Sequence, residues 1–299
     1  MRGAAVLLAC LLAGCGLGPG GEKKGGAELR VTRDFGHREL DVVRVKKVRE
    51  DQTAMRLLRS KFDVQTRYGG RFVQKLAGLS GRGSGGQVDW FYFVNGLEAG
   101  VGAAEYEISA GDVVQWDYRR WDGAMRIPAI VGAFPEPFLH GVKGRRYPVR
   151  VECASSSSHS CRLVKGRLRR LGVQATGASL GTSGTRDVIR VVVAPWKRAK
   201  IVSQVASLTE GPPASGVFAR IGQGGRVFYL LGPSGEVASS APRGTGLIAA
   251  FAPSEHEIVW AVTGLDERGV DAAAKAFDRS SLRNAFAVAV TPRRTVKLP

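Results

Sequence analysis

Residues 89–118, DWFYFVNGLEAGVGAAEYEISAGDVVQWDY, constrain the fold more than any other stretch of the chain. Trp90 to Val94 are five consecutive large apolar residues, and the chain then reaches Asn95-Gly96, both tolerant of left-handed backbone angles. In an extended strand neighbours point to opposite faces, so Trp90, Tyr92 and Val94 share one side and Phe91 and Phe93 the other. Phe91 and Phe93 carry no polar atom and are expected in the core under a helix. Trp90 and Tyr92 end in hydrogen-bond donors and suit a wetter face. Gly111-Asp112 turns the chain again, and VVQWDYRRW places Trp116 and Tyr118 on one side, with Trp121 just beyond. Two readings stay open for Trp90, Tyr92, Trp116, Tyr118 and Trp121. They form a platform that stacks on a planar or sugar-like ligand, with Arg119 and Arg120 adding charge, or they pair across strands to stabilise a small sheet.

The flanking sequence supplies the rest of a domain. LRVTRDF and DVVRVKKV alternate apolar and polar positions as half-buried strands do. DQTAMRLLRSKF reads as a helix that Asp51 can cap, with Ala54, Leu57 and Leu58 on one face and Phe62 continuing it. DVQTRYGGRFVQKLAGL gives two short strands about Gly69-Gly70. One helix across a mixed sheet is an α+β arrangement, here a β-grasp-like domain over residues 28–138. FPEPFLHGVKGRRYP is rich in Pro and Gly and marks a boundary, with residues 139–147 as the linker. Its Phe134, Glu136, Phe138 and His140 either close over the rings as a lid or pack between domains.

Residues 148–299 are expected to form an α/β sandwich domain. The strand-like runs YPVRVECA, DVIRVVVAPW, GTGLIAAFAP and EIVWAVTG are interspersed with the helical patterns CRLVKGRLRRLG and GVDAAAKAF. GASLG, Gly177 to Gly181, matches the nucleophile-elbow pattern, but QATGASLGTSGTRD reads as a flexible loop and lacks the strand-to-helix setting such an elbow needs. IGQGGR at 221–226 reads as a hairpin turn. The sequence contains neither a Walker pattern nor HExxH. The expectation is a protein that is not an enzyme, with no catalytic residue, metal site or bound cofactor.

The run from Trp90 to Tyr118 resembles the transcobalamin-like C-terminal domain, a small β-grasp-type module of bacterial surface proteins and lipoproteins. DWFYFVNG, AAEYEISAGD and VVQWDY carry the resemblance, and VREDQTAMRLLRSKFDVQTRYGGRFVQKLAGL fits the helix and hairpin that precede them. It covers about residues 28–120. It implies a β-grasp fold and a small ligand, a corrinoid being the ligand of related domains. Asn95 joins the five rings as a candidate ligand-binding residue.

The N-terminus sets the compartment. MRGAAVLLACLLAGC has one positive charge, an apolar run too short to span a bilayer and small residues before Cys15. This is the layout of a bacterial lipoprotein signal, with residues 1–14 cleaved, Cys15 lipidated and residues 15–27 a flexible, Gly-rich tether. Multiple acyl chains on Cys15 would hold the protein at the outer face of the cytoplasmic membrane. Of four Cys, Cys10 leaves with the signal, so Cys153 and Cys161 remain, bracketing ASSSSHS. In an oxidising compartment they read as one disulfide, with a metal site through His159 the competing reading.

The formal net charge is +18, and it is concentrated: between Lys143 and Lys200, 14 Lys or Arg stand against Glu152 and Asp187 alone. Such a field draws polyanions. For an exported protein these are wall polymers and lipid headgroups rather than nucleic acid. The resemblance and the anchoring together imply a surface-anchored lipoprotein that binds a small ligand, with a corrinoid as the candidate, and presents it to a vitamin importer. The alternative is a structural or adhesion module that binds anionic wall polymer or lipid headgroups.

Overall fold

The computed structural model describes residues 22, 23, 25–82, 86–182 and 184–299. The expected signal peptide, Cys15 and most of the tether lie outside the described residues. The far end of the tether is already structured: Glu22–Lys23 (β1) pairs with a later strand, and β2 begins at Ala27.

The N-terminal half continues with β2 (Ala27–Arg33), β3 (Arg38–Val45), β4 (Val48–Arg49), α1 (Ala54–Arg59), β5 (Val64–Arg67), β6 (Phe72–Leu76), β7 (Leu79–Ser80), β8 (Val88–Val94), β9 (Leu97–Glu98) and β10 (Val113–Arg120). Its main sheet has the order β3-β2-β10-β8-β9. β2 and β10 run parallel and the other pairs antiparallel. α1 is short, and it buries Ala54, Met55, Leu57 and Leu58. Its cap is Thr53, whose side chain accepts from the Arg56 N–H, rather than Asp51. Asp51 instead holds the Arg56 side chain at 2.6 Å, because it stands two residues before the cap position. The expected hairpin about Gly69-Gly70 forms as β5–β6, and β7 completes a three-stranded sheet.

The C-terminal half runs through β11 (Val149–Cys153), α2 (His159–Arg170), β12 (Ala175–Ser179), β13 (Val188–Pro195), α3 (Trp196–Ala199), α4 (Ser203–Ala206), α5 (Pro212–Ser215), β14 (Ala219–Gly222), β15 (Val227–Leu231), β16 (Val237–Ala241), β17 (Gly246–Ser254), β18 (Glu257–Gly264), α6 (Glu267–Lys275), α7 (Arg279–Leu282), β19 (Ala287–Val290) and β20 (Thr295–Leu298). Seven strands form one sheet in the order β12-β11-β13-β18-β17-β19-β20. β12, β11, β13 and β18 are mutually parallel. Along β13, Ile189, Val191 and Val193 face α2 and α6, while Val192 and Ala194 face α3, α4 and the small sheet β14-β15-β16. Burial on both faces explains the near-continuous apolar run VIRVVVA. β12 corrects the expectation of a loop over 174–187: ATGAS is half exposed and poor in β-branched residues, so only its pairing with β11 makes it a strand.

The two halves share an apolar seam of Phe35, Phe93, Ile127, Ile130, Phe218, Leu231 and Phe286. The Pro-rich segment does not stand apart as a tether. Phe134 and Phe138 sit in the C-terminal core, 4.9 Å from Phe277 and Trp260 respectively. Both X-Pro bonds in this segment, before Pro135 and Pro137, are cis.

Candidate functional site

The register of β8 and β10 places Trp116 opposite Tyr92 and Tyr118 opposite Trp90. Tyr92 and Trp116 stack with centroids 4.8 Å apart, and Trp90 and Tyr118 meet at 5.2 Å. Four of the five sequence-selected rings are therefore brought together on one face. That face lies under α1 and the β5-β6-β7 sheet, where Met55, Leu58, Val73 and Leu76 pack on them. Trp90 and Trp116 are 3% and 2% exposed, and Tyr92 and Tyr118 are half-buried. Their polar tips serve the fold: Trp90 Nε1 donates to the Leu79 carbonyl, the Tyr92 hydroxyl to Val101 and the Tyr118 hydroxyl to Ser80. Cross-strand packing accounts for these rings, and no open platform forms. Burial also pushes the Tyr92 hydroxyl well above its usual pKa. Trp121 stands apart and donates from Nε1 to Asp89.

The two faces of β8 are the reverse of the expectation. Phe91 and Phe93 point away from α1 into the seam, and Phe93 meets Phe286 at 5.3 Å. The reason is that the second face is not solvated: it is covered by the C-terminal half and takes the rings without polar atoms. Under α1, loop and strand carbonyls receive the Trp90, Tyr92 and Tyr118 tips, while Trp116 Nε1 is buried without a partner. Arg119 lies on the seam face too, fully buried, with its guanidinium 3.7 Å from the Phe91 ring centroid. Burial lowers its pKa to about 10 although Glu98 and Asp117 oppose the shift. Arg119 is thus spent inside the fold, and Arg120 pairs with Asp122 at 2.7 Å.

Asn95 is a strut. It is 1% exposed, has φ 53°, and its side chain makes three hydrogen bonds. Nδ2 donates to Asp112 Oδ1 at 2.8 Å and to the Gly141 carbonyl at 2.9 Å, and Oδ1 accepts from the Val113 N–H at 2.9 Å. Asp112 also accepts from the Ser109 N–H. Burial raises the Asp112 pKa to about 6, with these donors working against the shift. Cys153 and Cys161 form a disulfide.

Sequence reasoning missed the cleft that opens where the halves meet. It encloses about 280 Å³. The N-terminal wall is β9 with the loop to Val101, plus Tyr106; the far wall is Lys143 and Glu255. Glu98 is the most buried of its charged groups. It accepts from the Ile127 N–H at 3.1 Å and stands 3.7 Å from Arg126 and 3.9 Å from Arg119. Burial raises its pKa against the pull of Arg119, that N–H and Arg126. Across the cleft, Lys143 Nζ lies 2.7 Å from Glu255. The arrangement offers a compact ligand two ion pairs, one per wall, beside apolar Leu97, Val142 and Ala252. A signal existed only in retrospect. Glu98 and Arg126 lie outside any motif, and the pair on the other wall, Lys143 and Glu255, joins residues 112 positions apart.

Residues 51–120 match a family model described as a domain of unknown function, DUF4430. Two solved structures show similarity. One, a candidate metal-binding protein from Ruminococcus gnavus ATCC 29149, is 17% identical, with 32% of this chain and 98% of that chain covered and a TM-score of 0.27. The other, haptocorrin in complex with Cbi, is 13% identical, with 38% of this chain and 29% of that chain covered and a TM-score of 0.28. No curated protein matches the chain.

Proposed function

We propose that this chain is an exported, lipid-anchored binding protein that holds a compact polar ligand in the cleft between its halves and presents it to an importer. The reading carries no catalytic step. The single observation behind it is the cleft itself, walled by both halves and charged on each side. Seams between structural units are preferred places for small-ligand sites, and the volume lies at the lower end for such sites. The order β3-β2-β10-β8-β9, with first and last long strands parallel, supports the β-grasp reading of the N-terminal half. A corrinoid is wider than the cleft and would seat only an edge in it, so compact ligands are the first to try. The anchoring rests on the residues around Cys15, and the importer on that anchoring together with the resemblance of residues 28–120.

A thermal-shift screen of polar metabolites and corrinoids tests the proposal. A ligand that binds only the folded chain raises its melting temperature with concentration. The exposed Arg126, changed to Glu, should remove the shift, with a small fall of the unliganded melting temperature from repulsion of Glu98. No shift with any compound, or a shift that survives Arg126→Glu unchanged, would sink this reading. The alternative, binding of anionic wall polymer or lipid headgroups, is favoured by the exposed Arg162, Arg169 and Arg170 of α2. It predicts retention on purified cell wall that fades as salt rises.

A further inference from the structure

We infer that the C-terminal half carries a second binding site, for a phosphate ester, at the carboxyl ends of β11, β12 and β13. This site does not rest on the seam cleft. The three strands run parallel, and Cys153, the last residue of β11, is paired with Ser179 on one side and Val193 on the other. α2 follows β11 and packs on one face of the sheet through Cys161, Val164 and Leu168. α3 follows β13 and packs on the opposite face through Trp196 and Ala199. The chain turns back from β12 over β11 to reach β13, so the strand order reverses there. Neighbouring strands whose helices leave to opposite faces hold a crevice open beyond their carboxyl ends, and open α/β sheets bind ligands in such crevices.

Here the crevice has a volume of about 510 Å³, and its walls include Cys153, Ser179, Lys197, Arg198, Lys200 and Ile201. Its lining contains three cationic side chains and no carboxylate. Lys197, Arg198 and Lys200 are exposed, and none of them forms an ion pair among the described residues. The nearest buried acid is already engaged. Glu152 accepts two hydrogen bonds of 2.7 Å from Arg190 and one of 3.2 Å from the Gly181 N–H. It leaves the cationic field of the crevice uncompensated. The disulfide from Cys153 to Cys161 fixes the serine-rich turn beside this wall. Ile201, 68% exposed, gives the rim an apolar shoulder. Three converging cations with hydroxyl-bearing Ser179 suit a tetrahedral oxyanion, and the apolar shoulder suits the carbon side of its ester. A soluble glycerol phosphate and a phosphatidylglycerol headgroup share this chemistry.

The test uses the full chain carrying Cys15→Ser, so that an attached lipid does not itself seek membranes. Calorimetric titration with glycerol 3-phosphate at low salt should show saturable binding. The exposed triple variant K197E/R198E/K200E should lower the affinity at least tenfold with an unchanged melting temperature, and the neutral single variant Arg198→Gln should lower it too. R293E/R294E, which removes exposed positive charge elsewhere, should keep the affinity. Sedimentation with phosphatidylglycerol and phosphatidylcholine vesicles separates the sources. Binding of glycerol phosphate that depends on the three cations supports a soluble ester, and binding of phosphatidylglycerol vesicles alone, with the same dependence, supports a headgroup. Absence of saturable binding in both arms, or equal loss in R293E/R294E, overturns the site.

Discussion

Asn95 and Asp112 show how a turn residue becomes a structural joint. The side chain of Asn95 links three backbone segments, and its left-handed φ of 53° is one that Asn tolerates better than most residues. Asn95→Ala would leave Asp112 Oδ1, the Gly141 carbonyl and the Val113 N–H without their side-chain partner, and it is expected to cost about 2–4 kcal/mol, read as a lowered urea midpoint. Asp112 makes a pH prediction with a definite sign. Its folded pKa of about 6 lies above the ordinary 3.8 of an aspartate, so the native state holds its proton more tightly than the unfolded chain. Its contribution to stability is present below about pH 4 and is lost as pH rises to about 6, on the order of 3 kcal/mol. Urea unfolding from pH 4 to 7 should show a smaller fall of stability in Asp112→Asn than in the parent. An identical pH profile in the two proteins would rule out Asp112 as the titrating group.

At the scale of elements, the legible parts were those whose own pattern decides their structure. The alternation in β8 and β10, the apolar run of β13 and the Gly69-Gly70 hairpin are local signals, and each became the element it suggested. What failed was information that only a neighbour supplies. Period-two alternation tells which rings share a face but not what covers that face, so the Phe and Trp/Tyr sides of β8 were exchanged. β12 owes its conformation to β11 and has little pattern of its own. The disulfide was legible from cysteine arithmetic, and its worth can be stated. It closes a short loop, with a sequence separation of 8 between Cys153 and Cys161. Loop-closure entropy then gives about 2.5 kcal/mol, so the double variant C153A/C161A should unfold at a correspondingly lower denaturant concentration with an unchanged slope. A change far below that would mean that the unfolded chain already keeps this loop closed.

For the whole molecule, the question is whether the halves unfold separately or as one. The seam argues for one. Phe35 meets Phe218 at 5.1 Å and Phe286 at 5.4 Å, Arg30 donates to the Gly132 carbonyl at 2.8 Å, and Arg283 pairs with Glu39 at 2.8 Å. Asp117, on β10, is fully buried and accepts from Thr32 and from the Phe35 and Gly36 N–H groups, which fixes the β2–β3 turn on its own sheet with Phe35 in the seam. At Gly36 the backbones of the two halves approach closely. Its φ is 75°, and a Cβ at that position would lie 1.7 Å from the Asn284 carbonyl oxygen. Backbone cannot yield as a side-chain tip can, so Gly36→Ala must part the halves locally while leaving the core under α1 and both faces of the seven-stranded sheet intact. The parent protein is expected to melt in one transition and Gly36→Ala in two, or in one broadened transition at lower temperature. The cleft beside Glu98 depends on both halves, whereas the crevice beside Lys197 is built by the C-terminal half alone. Gly36→Ala should therefore weaken a ligand of the first and spare a ligand of the second; equal weakening of both would show that the seam supports the C-terminal sheet itself.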